Sequence, residues 1–466
     1  MKVFGEIVGT ISGWLYGYIL IALLIAAGLY FSLRTGFVQF RLLRESIRVI
    51  SEPKKDRDSI SSFQALMVST ASRVGTGNIV GVTGAILAGG PGAVFWMWLI
   101  ALIGGASAFV ESTHKKKGVD GSYGGPAYYI KQALNVPALG GAFAIALIAT
   151  YMGGFNALAS FTDFVKAYFP GENTTLIIGA VVAALAGIVI FGCGKRISKI
   201  TQVLVPVMAL AYIAVSLIVV IMNLSSLPGV IGSIFSGALN FQAAAGGLFG
   251  AAIMNGIKRG LYSNEAGIGS APNAAASADV SHPVKQGLVQ MLSVFIDTIL
   301  ICSSTAFMIL CSGVDPSGFI DAEGNTMNAA YIQASLSSNF GEFGGVFITL
   351  ALALFAYTTL VGNYYYAEMN ISYLYKDALK NKIFINCYRL LAVVIIFLGA
   401  QFSAGLAWGL ADVLMGFMAL INVPVCVILG DKAFDALKDY LEQKSAGKNP
   451  EFKASDIGIS DTDYWQ

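Results

Sequence analysis

Residues 65–86 read ALMVSTASRVGTGNIVGVTGAI, and residues 254–276 read MNGIKRGLYSNEAGIGSAPNAAA. Both lie in long apolar stretches and interrupt them with glycines, hydroxyls, amides and charges. Glycine weakens a helix by about 1 kcal/mol relative to alanine. Gly75 and Gly77 in the first stretch, and Gly256, Gly260, Gly267 and Gly269 in the second, therefore predict breaks. Non-helical backbone at membrane depth survives only when buried in protein or lining a cavity. There it frees amides and carbonyls for a ligand. Close helix packing through glycine is the competing explanation. Two long, charged interruptions at matching places favour broken helices.

The surroundings are those of a membrane protein. Of 466 residues, 56% are hydrophobic and 12% charged, whereas a soluble domain carries about 25% charged. Mean hydropathy is +0.70. Apolar runs of roughly 18 or more residues, long enough to cross a bilayer, recur along the chain. They predict about eleven helices, near 11–32, 62–88, 91–113, 139–168, 174–193, 199–223, 243–276, 284–312, 344–376, 383–401 and 406–430. Stretches 36–50, with Arg41, Arg44 and Arg48 at helical spacing, and 126–134, opened by Pro126, read as interfacial. The fold class is all-α and polytopic. A soluble multidomain enzyme, a disordered chain and a secreted disulfide scaffold are excluded. The first apolar run reads as a retained helix, since no cleavage-site pattern follows it. Cys193, Cys302, Cys311, Cys387 and Cys426 lie in or beside spans and form no CxxC, so neither a disulfide framework nor a metal cluster is expected.

Net charge is +2, which points to no partner and gives no sign of nucleic acid. The placement of the charges is more informative. Basic residues fall at Arg34 through Arg57, at Lys115, Lys116 and Lys117, at Lys195, Arg196 and Lys199, at Lys285, at Lys376, Lys380 and Lys382, and from Lys432 onward. The intervening stretches 169–173, 224–242 and 313–343 hold no Lys or Arg. With the positive-inside rule this alternation puts the N-terminus outside and the C-terminus in the cytoplasm.

Setting the first span aside leaves two sets of five, each opened by a broken helix. An odd number of spans per set inverts one set relative to the other, a pattern of secondary transporters with a site at the repeat interface. The organisation read from the sequence is an extra helix over 1–33, an interfacial cytoplasmic segment over 34–61, a first inverted repeat over 62–223, a second over 243–430, and a short mobile cytoplasmic tail over 431–466.

Together with GGPGAVFWMW (89–98) and GGPAYYI (124–130), the two opening strings resemble the alanine/glycine:cation symporter family, from about Gly13 to Gly430. The family is similar in fold to the five-plus-five inverted-repeat sodium/amino-acid symporters. The resemblance implies uptake of small neutral amino acids, alanine and glycine first, with sodium or in some members protons. Two departures stand out. The helix ending Glu111-Ser112-Thr113 passes straight into His114 and the basic loop, shorter than family members usually run. Some members carry Trp where this chain has Asn255 and Asn363, which leaves room for a longer polar side chain such as glutamine, serine or asparagine.

A zwitterion needs donors for its carboxylate. The amides of Gly75, Thr76 and Gly77 open a half-helix whose positive dipole end points inward, and in the resembling fold this stretch holds the substrate carboxylate. The ammonium needs acceptors; the candidates are the carbonyls from Ile253 through Asn255 to Gly256, and the side-chain oxygen of Asn78. A helix–helix hydrogen bond is the alternative role for Asn255. Sodium wants several oxygens. The resemblance maps its site onto the carbonyls of Ala71, Val74 and Phe355 and the hydroxyls of Thr358 and Thr359 in LFAYTTLVG. A Thr-Thr pair bonding its own helix is the alternative. Arg73, Lys258, Arg259, Glu265, Asp297 and Glu368 are ionisable groups at depth, expected to pair as gates or braces. Asp297 is also the candidate for a proton or a second cation. Tyr364, Tyr365 and Tyr366 read mainly as packing.

The leading function is a sodium-driven amino-acid symporter of the cell membrane, working as a monomer by alternating access without an organic cofactor. An ion channel is the reading from another class, and no filter-like ring supports it. An enzyme is disfavoured: the histidines are His114 and His282, with no HExxH or GxSxG motif.

Overall fold

The computed structural model describes residues 2–53, 59–113, 124–166, 168–171, 173–239, 248–321 and 326–458. His114 to Lys117, the start of the second repeat at 243–247 and the chain end from 459 lie outside the described residues. The rest is helical, with isolated bridges at Ile60–Ala278 and Ile320–Thr326 and no strand among the described residues.

The first helix runs through Lys2–Trp14, a π-helical turn Leu15–Ile19, and Leu20–Arg34. It packs on helices Gly92–Thr113 and Ala404–Ser445. After it come the short helices Val38–Arg41 and Leu43–Ile50. Two series of elements then follow in the same order. The first runs Ser62–Arg73 with Gly77–Gly89, Gly92–Thr113, Pro126–Ala133, Pro137–Tyr151 with Phe155–Lys166, Thr174–Ile190, and Cys193–Met222. The second runs Leu248–Asn264 with Ala271–Ser277, Pro283–Leu310, Asn328–Phe340, Glu342–Leu374, Lys382–Gly399, and Ala404–Ser445. Each series opens with an interrupted helix and carries a short helix in third place.

Local chemistry explains these elements. Ser61 starts its helix with a capping box: its hydroxyl accepts from the Gln64 amide, and the Gln64 side chain accepts from the Ser61 amide. Gly125, at φ +120°, precedes Pro126 and abuts Asn273, where a Cβ would lie 2.5 Å from the Asn273 oxygen. That contact ties the short helix Pro126–Ala133 to the second broken helix. Outer faces are apolar: helix Cys193–Met222 exposes Val203, Val207, Leu210 and Leu217 while burying Val205, Met208, Tyr212 and Val219. A helix apolar on both faces belongs between protein and lipid.

The structure corrects several expectations. Helix Leu248–Asn264 is unbroken across Asn255 to Gly260; the interruption begins only at Glu265. Gly256 and Gly260 are packing glycines. A Cβ on Gly256 would lie 2.4 Å from the Ala93 carbonyl oxygen, and one on Gly260 2.5 Å from the Ile100 side chain. Helix Gly92–Thr113 fills the space, so at this pair the close-packing explanation holds. Conversely, the span expected over 139–168 is broken at Met152–Gly154, where Gly154 has φ +47°. The lysine-free stretches 224–242 and 313–343 contain the helices Leu227–Leu239 and Asn328–Phe340.

The expected mobile tail is also corrected. The last helix passes Gly430 without interruption and ends at Ser445. The chain then folds back: the Phe452 amide donates to the Ser281 carbonyl (3.0 Å), and Ser281 Oγ donates to the Pro450 carbonyl (2.7 Å). His282 lies between the rings of Tyr440 and Phe452. Lys285 Nζ reaches both Glu52 Oε2 and Asn449 Oδ1 at 2.8 Å. Nearby, burial alone would raise the Glu45 carboxyl, but hydrogen bonds from Arg48, Lys444 and Tyr440 outweigh it and bring it down to about 2.

Candidate functional site

Helix Ser62–Arg73 breaks after Arg73, where Val74 turns extended and Gly75 and Thr76 lead into the half-helix from Gly77. Asn78 organises the break. Its Oδ1 accepts from the Gly75 amide at 2.8 Å, and its Nδ2 donates to Asp297 Oδ1 at 2.7 Å. The Asn78 oxygen expected to receive an ammonium is thus already engaged. Thr76 and Gly77 stand at the positive end of the half-helix.

Glu265 opens the second break with φ +53°, a left-handed backbone uncommon outside glycine. Gly267 and Gly269, at φ +86° and +89°, continue it. The strain holds because the side chain is tied on several sides. Tyr151 OH donates to Glu265 Oε1 at 2.9 Å, and Ser270 Oγ donates to Oε2 at 2.6 Å. Arg73 Nε lies 3.9 Å from Oε2, with both side chains buried. Ser72 Oγ donates to Asn363 Oδ1 at 2.6 Å. Glu265 therefore joins both breaks of the repeats to the third interruption beside Tyr151.

These residues enclose a cavity. It is lined by Ser72, Arg73, Gly75, Thr76, Gly77, Glu265, Thr359 and Asn363, with Thr150, Tyr151, Asn156, Tyr262, Ala411 and Met415. Its free room is about 10 Å³, close to the least that holds one water. On one side the Tyr262 and Trp408 rings pack tilted with centroids 4.6 Å apart, and Asn156 donates to Tyr262 OH. Beyond them Lys258 Nζ and Arg259 Nη1 share Asp412 at 2.7 and 3.2 Å, while Arg259 covers the Trp408 ring. Lys258 also donates to Ser12 in the extra N-terminal helix.

Across the cavity, helix Glu342–Leu374 approaches the first break closely. A Cβ on Gly362 would lie 2.7 Å from the Ser72 amide nitrogen, and one on Gly75 2.1 Å from Thr359 Oγ1. Thr359 Oγ1 is buried without a hydrogen-bond partner. Its neighbour Thr358 instead donates to the Leu354 and Phe355 carbonyls of its own helix, at 3.0 and 3.1 Å. Of the two hydroxyls, one is satisfied and one points, unsatisfied, at the unwound chain.

The description "sodium:alanine symporter family" fits residues 1–454 of the chain. The chain belongs to the sodium:alanine symporter family. It is a multi-pass membrane symporter of amino acids, not an enzyme. It is 44% identical over 457 residues to a probable sodium/glutamine symporter (GlnT) of Bacillus subtilis, covering 97% of this chain and 94% of that one. It is 43% identical to a putative sodium/proton-dependent alanine carrier protein (YrbD) of the same organism, with 99% and 97% covered. It is 37% identical to a sodium/alanine symporter (AgcS) of Methanococcus maripaludis, with 96% and 99% covered.

Within this symporter, the residues expected at the site divide. Gly75, Thr76, Gly77, Thr359, Asn363, Arg73 and Glu265 line the cavity. Ala71, Val74, Phe355 and Thr358 lie beside it on the same two helices. Ile253, Asn255 and Gly256 do not reach it. They sit in intact helix, and Asn255 Nδ2 donates to the Ala251 carbonyl one turn back. Among the six deep charges, only Arg73 and Glu265 pair with each other. Lys258 and Arg259 meet Asp412, and Glu368 meets Arg389 at 3.6 Å. Asp297 is held by neutral donors, Asn78, Ser263 and Thr298. Sequence reasoning missed Asp412 and Arg389, although each is a lone charge within an apolar span. It also missed Tyr151 and Asn156, which flank the Met152-Gly153-Gly154 signal of the third break.

Proposed function

We propose that the protein takes up alanine and glycine together with sodium across the cell membrane, by alternating access, as a monomer with its N-terminus outside and its C-terminus in the cytoplasm. The observation that carries the reading is Thr359 Oγ1, buried, without a partner and facing Gly75. An unpaired buried hydroxyl costs about 1–3 kcal/mol, and a sodium ion supplies what it lacks. The carbonyls of Ala71, Val74 and Phe355 and the Thr358 oxygen complete an uncharged oxygen set, suited to an ion that must also leave. The Thr76 and Gly77 amides receive the carboxylate of the amino acid. With Asn78 and the 253–256 carbonyls occupied or remote, Glu265 and the Ser72 hydroxyl are the acceptors left for its ammonium.

Closure suits a small substrate. Tyr151, Tyr262 and Met415 wall the cavity, so a short side chain displaces them less than a long one does. Membrane potential adds about 2.3 kcal/mol per charge per 100 mV to the inward step. A second reading, glutamine, is favoured by Asn363 and Asn156 in the wall, amides able to pair with a polar side chain. The relation to the sodium/glutamine symporter supports it equally. The relation to sodium/proton-dependent carriers keeps a proton as an additional coupling ion. Competition by neutral amino acids for sodium-driven uptake into proteoliposomes tests the reading: alanine and glycine should compete best, and stronger competition by glutamine selects the second reading.

A further inference from the structure

We propose that the Glu111 carboxyl is a proton-binding site that makes closure of the transporter pH-dependent; the transport arm of this proposal rests on the symport reading above, the binding site itself does not. Glu111 lies near the end of helix Gly92–Thr113 with 0% exposure. Its Oε2 accepts from Asn422 Nδ2 at 2.9 Å. The same Nδ2 donates to the Gly267 carbonyl in the second break, also at 2.9 Å, and Tyr129 OH donates to Asn422 Oδ1. Glu111 Oε1 has no hydrogen-bond partner, and no cation forms an ion pair with it among the described residues.

The charges around it do not balance. Arg73 is in electrostatic reach of Glu265, Glu111 and Asp297, one cation facing several buried carboxylates. Glu265 also faces Glu111, and Tyr129 and Cys426 lie beside it. Other titratable groups on the packed helices are engaged elsewhere: Lys285 with Glu52, Lys258 and Arg259 with Asp412, Arg41 with the Thr35 carbonyl. A sodium ion at Thr359 adds one positive charge, which still leaves one carboxylate uncompensated.

Hydrogen bonding decides which one is neutral. Asp297 receives Asn78, Ser263 and Thr298, and Glu265 receives Tyr151 and Ser270 beside Arg73; both sets stabilise an anion. Glu111 has only the Asn422 amide, already shared with a carbonyl, and the Gly267 backbone amide beside it, and its Oε1 is bare. A bare buried carboxylate is far costlier than a bare buried acid. The proton comes from water, forms the O–H bond on Oε1, and returns to water when the second break moves. Because Asn422 bonds both Glu111 and Gly267, that movement is what uncovers the group. Loss of the proton in the closed state strands a charge, so closure weakens as pH rises, by up to about tenfold per pH unit above the titration point.

The test is infrared difference spectroscopy of the purified full chain in liposomes, alongside sodium-driven alanine uptake across pH. Wild type should show a protonated-carboxyl band that Glu111→Gln removes, and uptake should fall at alkaline pH in wild type but stay level in Glu111→Gln. An identical band in both proteins, or pH-independent uptake in an active wild type, overturns the proposal. Should Glu111→Gln fail to fold, Asn422→Ala removes the donor to Glu111 and must shift the band; an unmoved band overturns the site. A wild type with the band but no sodium-driven uptake at any pH supports the proton site and overturns the cargo reading alone.

Discussion

Thr359 Oγ1 faces the backbone of Gly75 so closely that a Cβ on Gly75 would lie 2.1 Å from it. A threonine of the second series of helices thereby reads the unwound backbone of the first. Gly75→Ala should force this contact apart at about 1–3 kcal/mol, a roughly ten- to hundredfold loss of transport. Uptake and size-exclusion profiles of the purified variant check it. Normal uptake in Gly75→Ala would show that the two segments separate without cost.

Asn363 and Asn255 should behave differently. Asn363 accepts from Ser72 in the cavity, whereas Asn255 bonds its own helix. Asn363→Ala leaves the Ser72 hydroxyl without its short bond, at about 1–3 kcal/mol, and should alter competition by glutamine more than by alanine if glutamine is carried. Asn255→Ala should stay within about 0.5 kcal/mol. A larger effect from Asn255 on substrate choice would place the side-chain compartment elsewhere.

Glu265→Gln leaves Arg73 buried without its counter-charge. Breaking a buried pair costs about 3–5 kcal/mol, visible as a lower thermal midpoint in detergent. Adding Arg73→Met should recover part of that loss. Full additivity of the two substitutions would mean that the groups, 3.9 Å apart, do not interact.

His282 makes docking of the chain end pH-sensitive. Burial pushes its imidazole down from 6.5 to about 4, against the opposing effect of Asp439 at 3.0 Å. A histidine held neutral when docked favours docking above its ordinary value. That contribution is lost as pH falls from 6.5 towards about 4. Amide hydrogen exchange at Phe452, which bonds Ser281, should speed up over this window. Exchange that is flat with pH, or that also speeds up in His282→Gln, would contradict it.

Much of this was legible in the sequence, and the failures have physical reasons. Lipid forces backbone polar groups into helices, so apolar length located the spans. Gly75-Thr76-Gly77 marked a true break: Val74 turns extended and the chain becomes helical again only from Gly77. Gly256 and Gly260 carry the same local signal, yet they face Ala93 and Ile100 of a neighbouring helix and stay helical. Only the partner surface separates the two cases, and it is not local in sequence. Ion pairing fails for the same reason: Lys258 and Arg259 find Asp412 about 150 positions away. The Thr358-Thr359 pair was visible as a motif, but which hydroxyl was free depended on rotamers. The tail was misread because its polarity hid Phe452, which packs on His282.

Thr359, whose hydroxyl is unpaired, holds the transported sodium ion more strongly than Thr358, whose hydroxyl is already bonded to its own helix. The most direct measurement is the sodium dependence of alanine uptake in proteoliposomes for wild type, Thr359→Val and Thr358→Val. Losing one unpaired buried oxygen is worth about 1–3 kcal/mol, so Thr359→Val should raise the sodium needed for half-maximal uptake roughly ten- to hundredfold, and Thr358→Val should raise it much less. Unchanged sodium dependence in Thr359→Val, with normal folding and uptake, would contradict the account.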